Sequence, residues 1–210
     1  MAAATALVLL GGSMAPFLAP PVVRFEQDRT EVGSFTGYSP DVLDHVTGSL
    51  LADLVLWQGD FGVQVKEANV LSDRERGHMR DVRSVFTGFW ILVLAGIAIL
   101  AVGFRRARGT EARIAARRSV AGGARGLAVA IAVVGVFVIF AFDAAFEVFH
   151  RLFFSAGSYT FDPATDRLVQ LFPEQFWSEI SIAVGAVVVA LSIATWWLAR
   201  RRAARLAGAT

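Results

Sequence analysis

Residues 86–104 read FTGFWILVLAGIAILAVGF, and they are followed at once by RRARGTEARIAARR at 105–118. The first stretch carries no charged side chain and is close to the ~20 residues a helix needs to cross a hydrocarbon core of about 30 Å. The second places Arg105, Arg106, Arg108, Arg113, Arg117 and Arg118 directly behind it. An apolar run closed by arginines is the signature of a membrane span whose basic end stays in the cytoplasm.

The rest of the chain is read around that span. A hydrophobic content of 55% and a mean hydropathy of +0.55 over 210 residues exceed what a water-soluble domain carries. Two further runs, 127 to about 146 and 180–198, are long enough to cross. A fourth, 4 to about 23, is weaker because Pro16, Pro20 and Pro21 crowd one end. Without a basic leading segment or a small-x-small cleavage site, it reads as a retained span rather than a secretory signal. Arg200, Arg201, Arg202 and Arg205 follow the last run. The arginines therefore predict four spans with both termini in the cytoplasm.

The expected fold class is a membrane α-helical protein with four transmembrane helices and a small extracytoplasmic α+β cap. Its expected divisions are a first transmembrane helix at 1–23, a cap segment at 24–85 and a second helix at 86–104. A basic cytoplasmic loop at 105–126 leads to the third helix at 127–149. An extracytoplasmic segment at 150–176, a fourth helix at 177–199 and a cytoplasmic tail at 200–210 complete the order. Trp177 at one boundary, and Trp196 with Trp197 at the other, stand where interfacial aromatics belong.

The sequence pI of about 9.6 comes mainly from the inner loop and tail, so it reads as topology and not as nucleic-acid binding. No nucleic-acid partner is expected. The absence of cysteine removes thiol nucleophiles, disulfides and thiolate metal sites.

Within the cap, Ser39-Pro40-Asp41 opens a helix on which Val42, Leu43, Val46, Leu50, Leu54 and Val55 recur at helical spacing, with His45 on the solvated face. Alternation at Phe61, Val63 and Val65, at Tyr159 and Phe161, and at Val23 to Glu26 predicts short strands. Ser72-Asp73-Arg74-Glu75 is a capping box that starts the helix carrying His78. Glu75 and His78, three residues apart, share a face. On the third span Asp143, Glu147 and His150 form one polar stripe at the outer end, and ionisable groups at such depth face a protein interior or a wet cavity.

His78 precedes one apolar run and His150 follows the next, so both imidazoles emerge on the same side at similar depth. Three chemistries fit that placement. The first is acid–base catalysis at the lipid boundary, with Glu75, Asp81 or Glu147 setting the tautomers. The second is a metal-dependent membrane oxidoreductase, because Glu75-x-x-His78 and Glu147-x-x-His150 repeat the spacing of dinuclear carboxylate bundles. That architecture also wants a glutamate from each remaining helix; Glu179 is available on the fourth, and the first span has no acid. The third is a non-enzymatic membrane protein.

The stretch from Leu71 to Val82, LSDRERGHMRDV, resembles an L-S-x-x-E-x-x-H-M-x-D-V signature, and Phe146 to Phe154, FEVFHRLFF, resembles F-x-x-F-H-x-L-F-F. The likeness continues through Asp162-Pro163, Asp166-Arg167-Leu168 and the stretch from Leu171 to Phe176. It departs at Tyr159, where the pattern has tryptophan. These elements resemble the four-span integral membrane proteins that include the lipoprotein intramolecular transacylases.

The resemblance implies an intramolecular O-to-N acyltransferase of the bacterial cytoplasmic membrane, with its active site on the outer face. Its partners would be a diacylated bacterial lipoprotein and membrane lipid. The sn-2 acyl chain of the diacylglyceryl-cysteine would move to the α-amino group and leave the lyso-form. His78 and His150 would be the catalytic dyad, His78 as base on the amine and His150 as acid on the departing oxygen. Glu75, Asp81, Glu147, Arg80 and Arg151 would support them, with Arg80, Arg151 or Ser155 as oxyanion donors. Phe153, Phe154, Phe172 and Phe176, with Leu152, would wall the acyl chains. No metal and no cofactor is implied.

Overall fold

The computed structural model describes residues 1–208. The chain is mostly helical, with one small sheet. In chain order the elements are α1 (Ala2–Met14), a 3-10 turn (Ala15–Leu18), α2 (Pro20–Arg29), α3 (Val32–Thr36), α4 (Pro40–Leu56), β1 (Gln64–Val65) and β2 (Ala68–Asn69). They continue with α5 (Asp73–Arg106), α6 (Thr110–Phe140), α7 (Phe142–Phe153), α8 (Arg167–Leu171) and α9 (Glu174–Ala207).

Three helices, α5, α6 and α9, are long and apolar enough to cross a membrane. The stretches Ala2–Leu18 and Pro20–Arg29 make a fourth if the pair counts as one span bent by 67°. The bend follows from the prolines. Ala19, which precedes Pro20, is forced into an extended conformation (φ −74°, ψ 131°), so the helix stops and restarts with proline in its first turn.

The chain divides into two compact units. The first comprises Met1–Ala15, Phe89–Phe137 and the residues from Ile182 onward. Its helices expose their large apolar side chains: Leu94 is 64% and Val133 67% accessible. A water-soluble fold would bury such residues, whereas hydrocarbon solvates them. Inside the unit, small residues let the backbones approach. Helix α1 runs antiparallel to α5, with Met1 against Gly103, Ala4 and Val8 against Gly96, and Gly11 against Val93 and Trp90. A methyl group on Gly96 would come within 3.2 Å of the Ala4 carbonyl oxygen, and one on Gly123 of α6 would overlap the Ala2 carbonyl.

The second unit comprises Pro16–Gly88 and Val138–Ser181. Its core gathers Val32, Leu43, Val46, Leu50, Phe61, Leu71, Met79 and Leu171 among others. Leu43, Val46 and Leu50 are the one buried face of α4, at the helical spacing that the sequence shows. Through that core runs a buried polar bridge: the Gln27 side-chain amide donates to the Leu171 carbonyl (3.0 Å), and its Oε1 accepts from Thr47 (2.8 Å). Asp53 accepts the Phe61 backbone N–H at 2.7 Å.

Several sequence expectations are corrected here. Strand is confined to the hairpin, with Gln64 opposite Asn69 and Val65 opposite Ala68, closed by Lys66 and Glu67 at positive φ. Phe61 lies outside it because its own φ of 57° breaks extended pairing. Val23 to Glu26 are helical, since Pro20-Pro21 nucleate α2. Tyr159 and Phe161 lie in a loop, followed by a turn in which Asp162 caps Ala164 N–H (2.9 Å) and Asp166 accepts Asp162 N–H (2.8 Å). The basic loop at 105–126 is helix from Thr110 on, because alanine and arginine favour helix, and only 107–109 connect. The helix over 127–149 is interrupted at Ala141, whose φ of −147° ends α6 before α7 begins.

Gly123→Ala is expected to lower stability by about 1–3 kcal/mol, because the overlapped Ala2 carbonyl belongs to backbone and yields little. Gly122→Ala, whose added methyl meets open space, should leave stability unchanged or slightly raised. Thermal melts of the two detergent-solubilised variants decide the matter; equal melting temperatures would refute the close approach.

Candidate functional site

The site is built on two helices of the second unit, near the start of α5 and in the last turn of α7. At the start of α5 the capping box forms: Glu75 Oε2 accepts both the Ser72 backbone N–H (2.7 Å) and the Ser72 hydroxyl (2.7 Å). The other oxygen, Oε1, accepts the Leu168 N–H at 2.6 Å, at the first turn of α8. Glu75 is only 2% exposed, so a buried carboxylate joins two segments that are 93 residues apart. His78 follows on the same helix, 7% exposed, with Phe154 at 4.9 Å and Phe161 at 5.5 Å between ring centroids. Its Nδ1 is buried without a hydrogen-bond partner.

The second helix is α7, released from α6 by the break at Ala141. His150 is its one buried residue, 8% exposed. The His150 Nδ1 lies 2.8 Å from the Phe146 carbonyl oxygen. A carbonyl only accepts, so Nδ1 carries the proton and Nε2 is left for proton transfer. Phe146, Phe149, Phe154 and Tyr159 surround the ring at centroid distances of 4.0 to 5.5 Å. The two imidazoles themselves lie 6.0 Å apart, 25° from parallel. Phe154 touches both.

His78 lies before the apolar run that begins at Phe86. Burial pushes its imidazole down from 6.5 to about 4, the neighbouring His150 adds to the shift, and Asp81 opposes it. His78 is therefore neutral at neutral pH.

The remaining predicted residues take varied places. Asp81 is exposed and acts on His78 through space. Glu147 accepts from Arg151 at 2.7 Å and from the Tyr159 hydroxyl at 3.4 Å. Arg80 pairs with Asp60 at 2.8 Å. Ser155 is exposed, and its carbonyl accepts from Ser158. Phe153 packs on Phe149 at 4.9 Å. Phe172 and Phe176 meet edge to face at 5.3 Å, and Phe176 belongs to a second small core with Val23 and Leu51. His45 is exposed on α4.

Sequence reasoning missed Phe146, Phe149, Phe161 and Arg74. Two carried a usable signal: Phe146 stands four residues before His150, and Arg74 four before His78, each on the histidine's helical face. Arg74 lies over the Phe161 ring at 4.8 Å and pairs with Asp166 at 2.7 Å. Among the described residues no three His, Asp or Glu side chains converge as metal ligands. Both Glu75 oxygens accept from protein donors, and Glu147 Oε1 accepts from Arg151.

A family profile described as lipoprotein intramolecular transacylase Lit matches residues 1–177. No curated protein matches the chain. Solved structures of the membrane-integral lipoprotein intramolecular transacylase Lit from Bacillus cereus share the fold. One has a TM-score of 0.81 at 19% identity and covers 100% of this chain and 93% of that chain. A form with a histidine replaced by arginine gives 0.75 at 17%, with 100% and 91% covered. A form with a histidine replaced by alanine gives 0.72 at 18%, with 95% and 88% covered.

Two stability predictions follow from the site's polar groups. Glu75→Gln should destabilise by roughly 1–3 kcal/mol, since one amide oxygen cannot serve donors on both sides. A melting temperature equal to that of the unaltered chain would refute the buried bridge. For His78 the unfolded chain takes up a proton as pH falls below about 6.5 while the folded one resists until about 4. The stability it contributes is thus complete above 6.5 and lost as pH falls through that window. Melts from pH 7 to pH 4 should show a decline that His78→Phe removes.

Proposed function

The chain belongs to the lipoprotein intramolecular transacylase family, and we propose that it moves the sn-2 acyl chain of a lipoprotein's diacylglyceryl-cysteine to the cysteine's own α-amino group. The observation that carries this reading is the meeting of His78 and His150, from two separate helices, at 6.0 Å in an apolar, aromatic surround.

The chemistry needs no enzyme nucleophile. The amine lone pair attacks the ester carbonyl, a tetrahedral oxyanion forms, and the bond to the glycerol oxygen breaks as the amide forms. One proton leaves the nitrogen and one arrives on the departing oxygen. Acceptor and donor sit on one molecule, so the protein's work is to hold them in register, a gain that well-oriented intramolecular reactions show to be large. His78 takes the amine proton, because burial keeps it neutral and its Nδ1 has no competing partner. The proton passes on from His78 to the adjacent His150, enters at Nε2 and is delivered from there to the departing oxygen, the His150 ring being oriented by the Phe146 carbonyl. Both rings then end the cycle neutral, as they began it. Phe154, Phe149 and Phe153 line the acyl chains, while Glu147, clamped to Arg151 and Tyr159, steadies α7.

Four spans carry this machinery, with α1, its 3-10 turn and α2 as the first and with both termini in the cytoplasm. The arginines at 105–118 and 200–205 support that orientation. The segments 24–85 and 150–176 form the extracytoplasmic cap of a bacterial cytoplasmic-membrane enzyme. A diacylated lipoprotein reaches the histidines from the lipid of the outer leaflet. The variants with a replaced histidine among the solved relatives accord with a central role for that residue type.

His78→Ala and His150→Ala should each reduce N-acylated lyso-lipoprotein by about 10²- to 10⁴-fold, the worth of a positioned acid or base. The measurement is mass spectrometry of lipoprotein N-termini from a producing host, at matched membrane levels of each variant. Undiminished lyso-form from either variant would exclude the dyad.

A further inference from the structure

The arginine-rich end of the first unit holds a polar feature the histidine pair does not use. Seven arginines lie in 89–137 and four from 182 onward, against a single acid, Glu111. Among the described residues none of these arginines forms an ion pair. Arg200 and Arg201 lie over the Trp196 and Trp197 rings, at 5.4 and 3.7 Å.

Arg117 and Arg202 do something different. Together with Phe104 of α5, Val120 of α6 and Thr195 and Leu198 of α9 they line a cleft of about 200 Å³. No acid lines it, and the Arg117 Nε is buried without a hydrogen-bond partner. A buried guanidinium N–H left unsatisfied costs stability unless something accepts from it.

The place of the cleft says what that acceptor is. Phe104 and Leu198 are the last residues of their apolar runs, so the cleft opens at the depth where hydrocarbon gives way to headgroups. Its volume is below the roughly 300–1,000 Å³ of a pocket for a drug-sized ligand and suits a small charged group with apolar neighbours. Guanidinium groups pair with phosphate through parallel N–H donors. Basic pockets between spans at this end are suited to lipid phosphates.

We propose that this cleft binds the phosphate of an anionic phospholipid in the leaflet that meets the arginine-rich helix ends, with Arg117 and Arg202 as paired donors and Phe104, Val120 and Leu198 against its glycerol and first acyl carbons. The lipid crosses between α5, α6 and α9 and neutralises charge that has no protein partner. This binding stands apart from acyl transfer at the histidines, which belong to the other unit.

The test is lipid retention by the full chain in detergent, read by native mass spectrometry after incubation with equal phosphatidylglycerol and phosphatidylcholine. The unaltered chain should retain phosphatidylglycerol preferentially. Arg117→Gln and Arg202→Gln should each reduce that retention about fivefold. Arg118→Gln removes the same charge from an exposed position and should change it little. Val120→Phe fills the cleft without altering charge and should lower retention with activity on lipoprotein unchanged. An equal loss from Arg118→Gln, or full retention in Val120→Phe, would reduce the effect to diffuse attraction and overturn the site. Inorganic phosphate that displaces the lipid from the unaltered chain but not from Arg117→Gln would make the ligand a soluble anion and overturn the lipid assignment.

Discussion

The second unit depends on one buried carboxylate. Glu75 accepts from Ser72 through one oxygen and from Leu168 through the other, and it is almost wholly shielded from water. A carboxylate in such a setting is tolerable only because its lone pairs are met by donors that have nowhere else to go. The Ser72 contacts end the loop before α5 and fix where the helix begins, so His78, one turn later, inherits its direction from them. The Leu168 contact fixes the other wall. It holds the start of α8 against α5 and ties down the loop whose Phe161 closes over the His78 ring. Glu75, expected from the sequence to support the histidines, thus joins the segments on which the parts of the site are carried.

That distinction marks the limit of what the sequence disclosed. The spans were legible because hydrocarbon imposes a length and a composition on any helix that crosses it. The capping box at Ser72 and the histidine positions were legible for a similar reason: both are local patterns that a helix turns directly into geometry. The partners of those local elements were not legible. Nothing at Leu168 announces that its N–H will be met by a side chain 93 positions earlier. Arg80 and Arg151 sit beside the histidines in sequence, yet each turns to a carboxylate, Asp60 and Glu147 respectively. Phe172 and Phe176 follow the same rule. They lie in an aromatic stretch, and the core around Val23 and Leu51 takes up Phe176, with Phe172 edge to face against it.

The break at Ala141 gives His150 a short helix of its own. A regular helix through 127–149 would run past this point without interruption. The chain instead leaves helical geometry for one residue and begins α7, whose buried member is His150. Leu152 stays 74% exposed on the same short helix, with Phe149 and Phe153 half exposed beside it. One helix thus exposes apolar side chains on one side and buries His150 on the other, the arrangement that the proposed reaction at a lipid boundary would require. The bent pair α1 and α2 is likewise interrupted, with prolines in place of a single non-helical residue.

The two histidines differ in what holds them, and the difference bears on the roles proposed for them. His150 has its Nδ1 committed to a backbone carbonyl, which fixes the tautomer before any substrate arrives. His78 has an edge-on aromatic surround and an unsatisfied nitrogen. A buried polar atom without a partner lowers stability, and folded chains keep few of them. One kept beside a second imidazole has a chemical reason to stay, because a substrate group that bonds to it regains the lost interaction on binding. In the proposed transfer, the desolvation that weakens His78 as a base would also exclude the water that competes for the ester. On the proposed reading an aromatic enclosure would serve both needs: it holds the first ring neutral and would keep hydrolysis from replacing transfer.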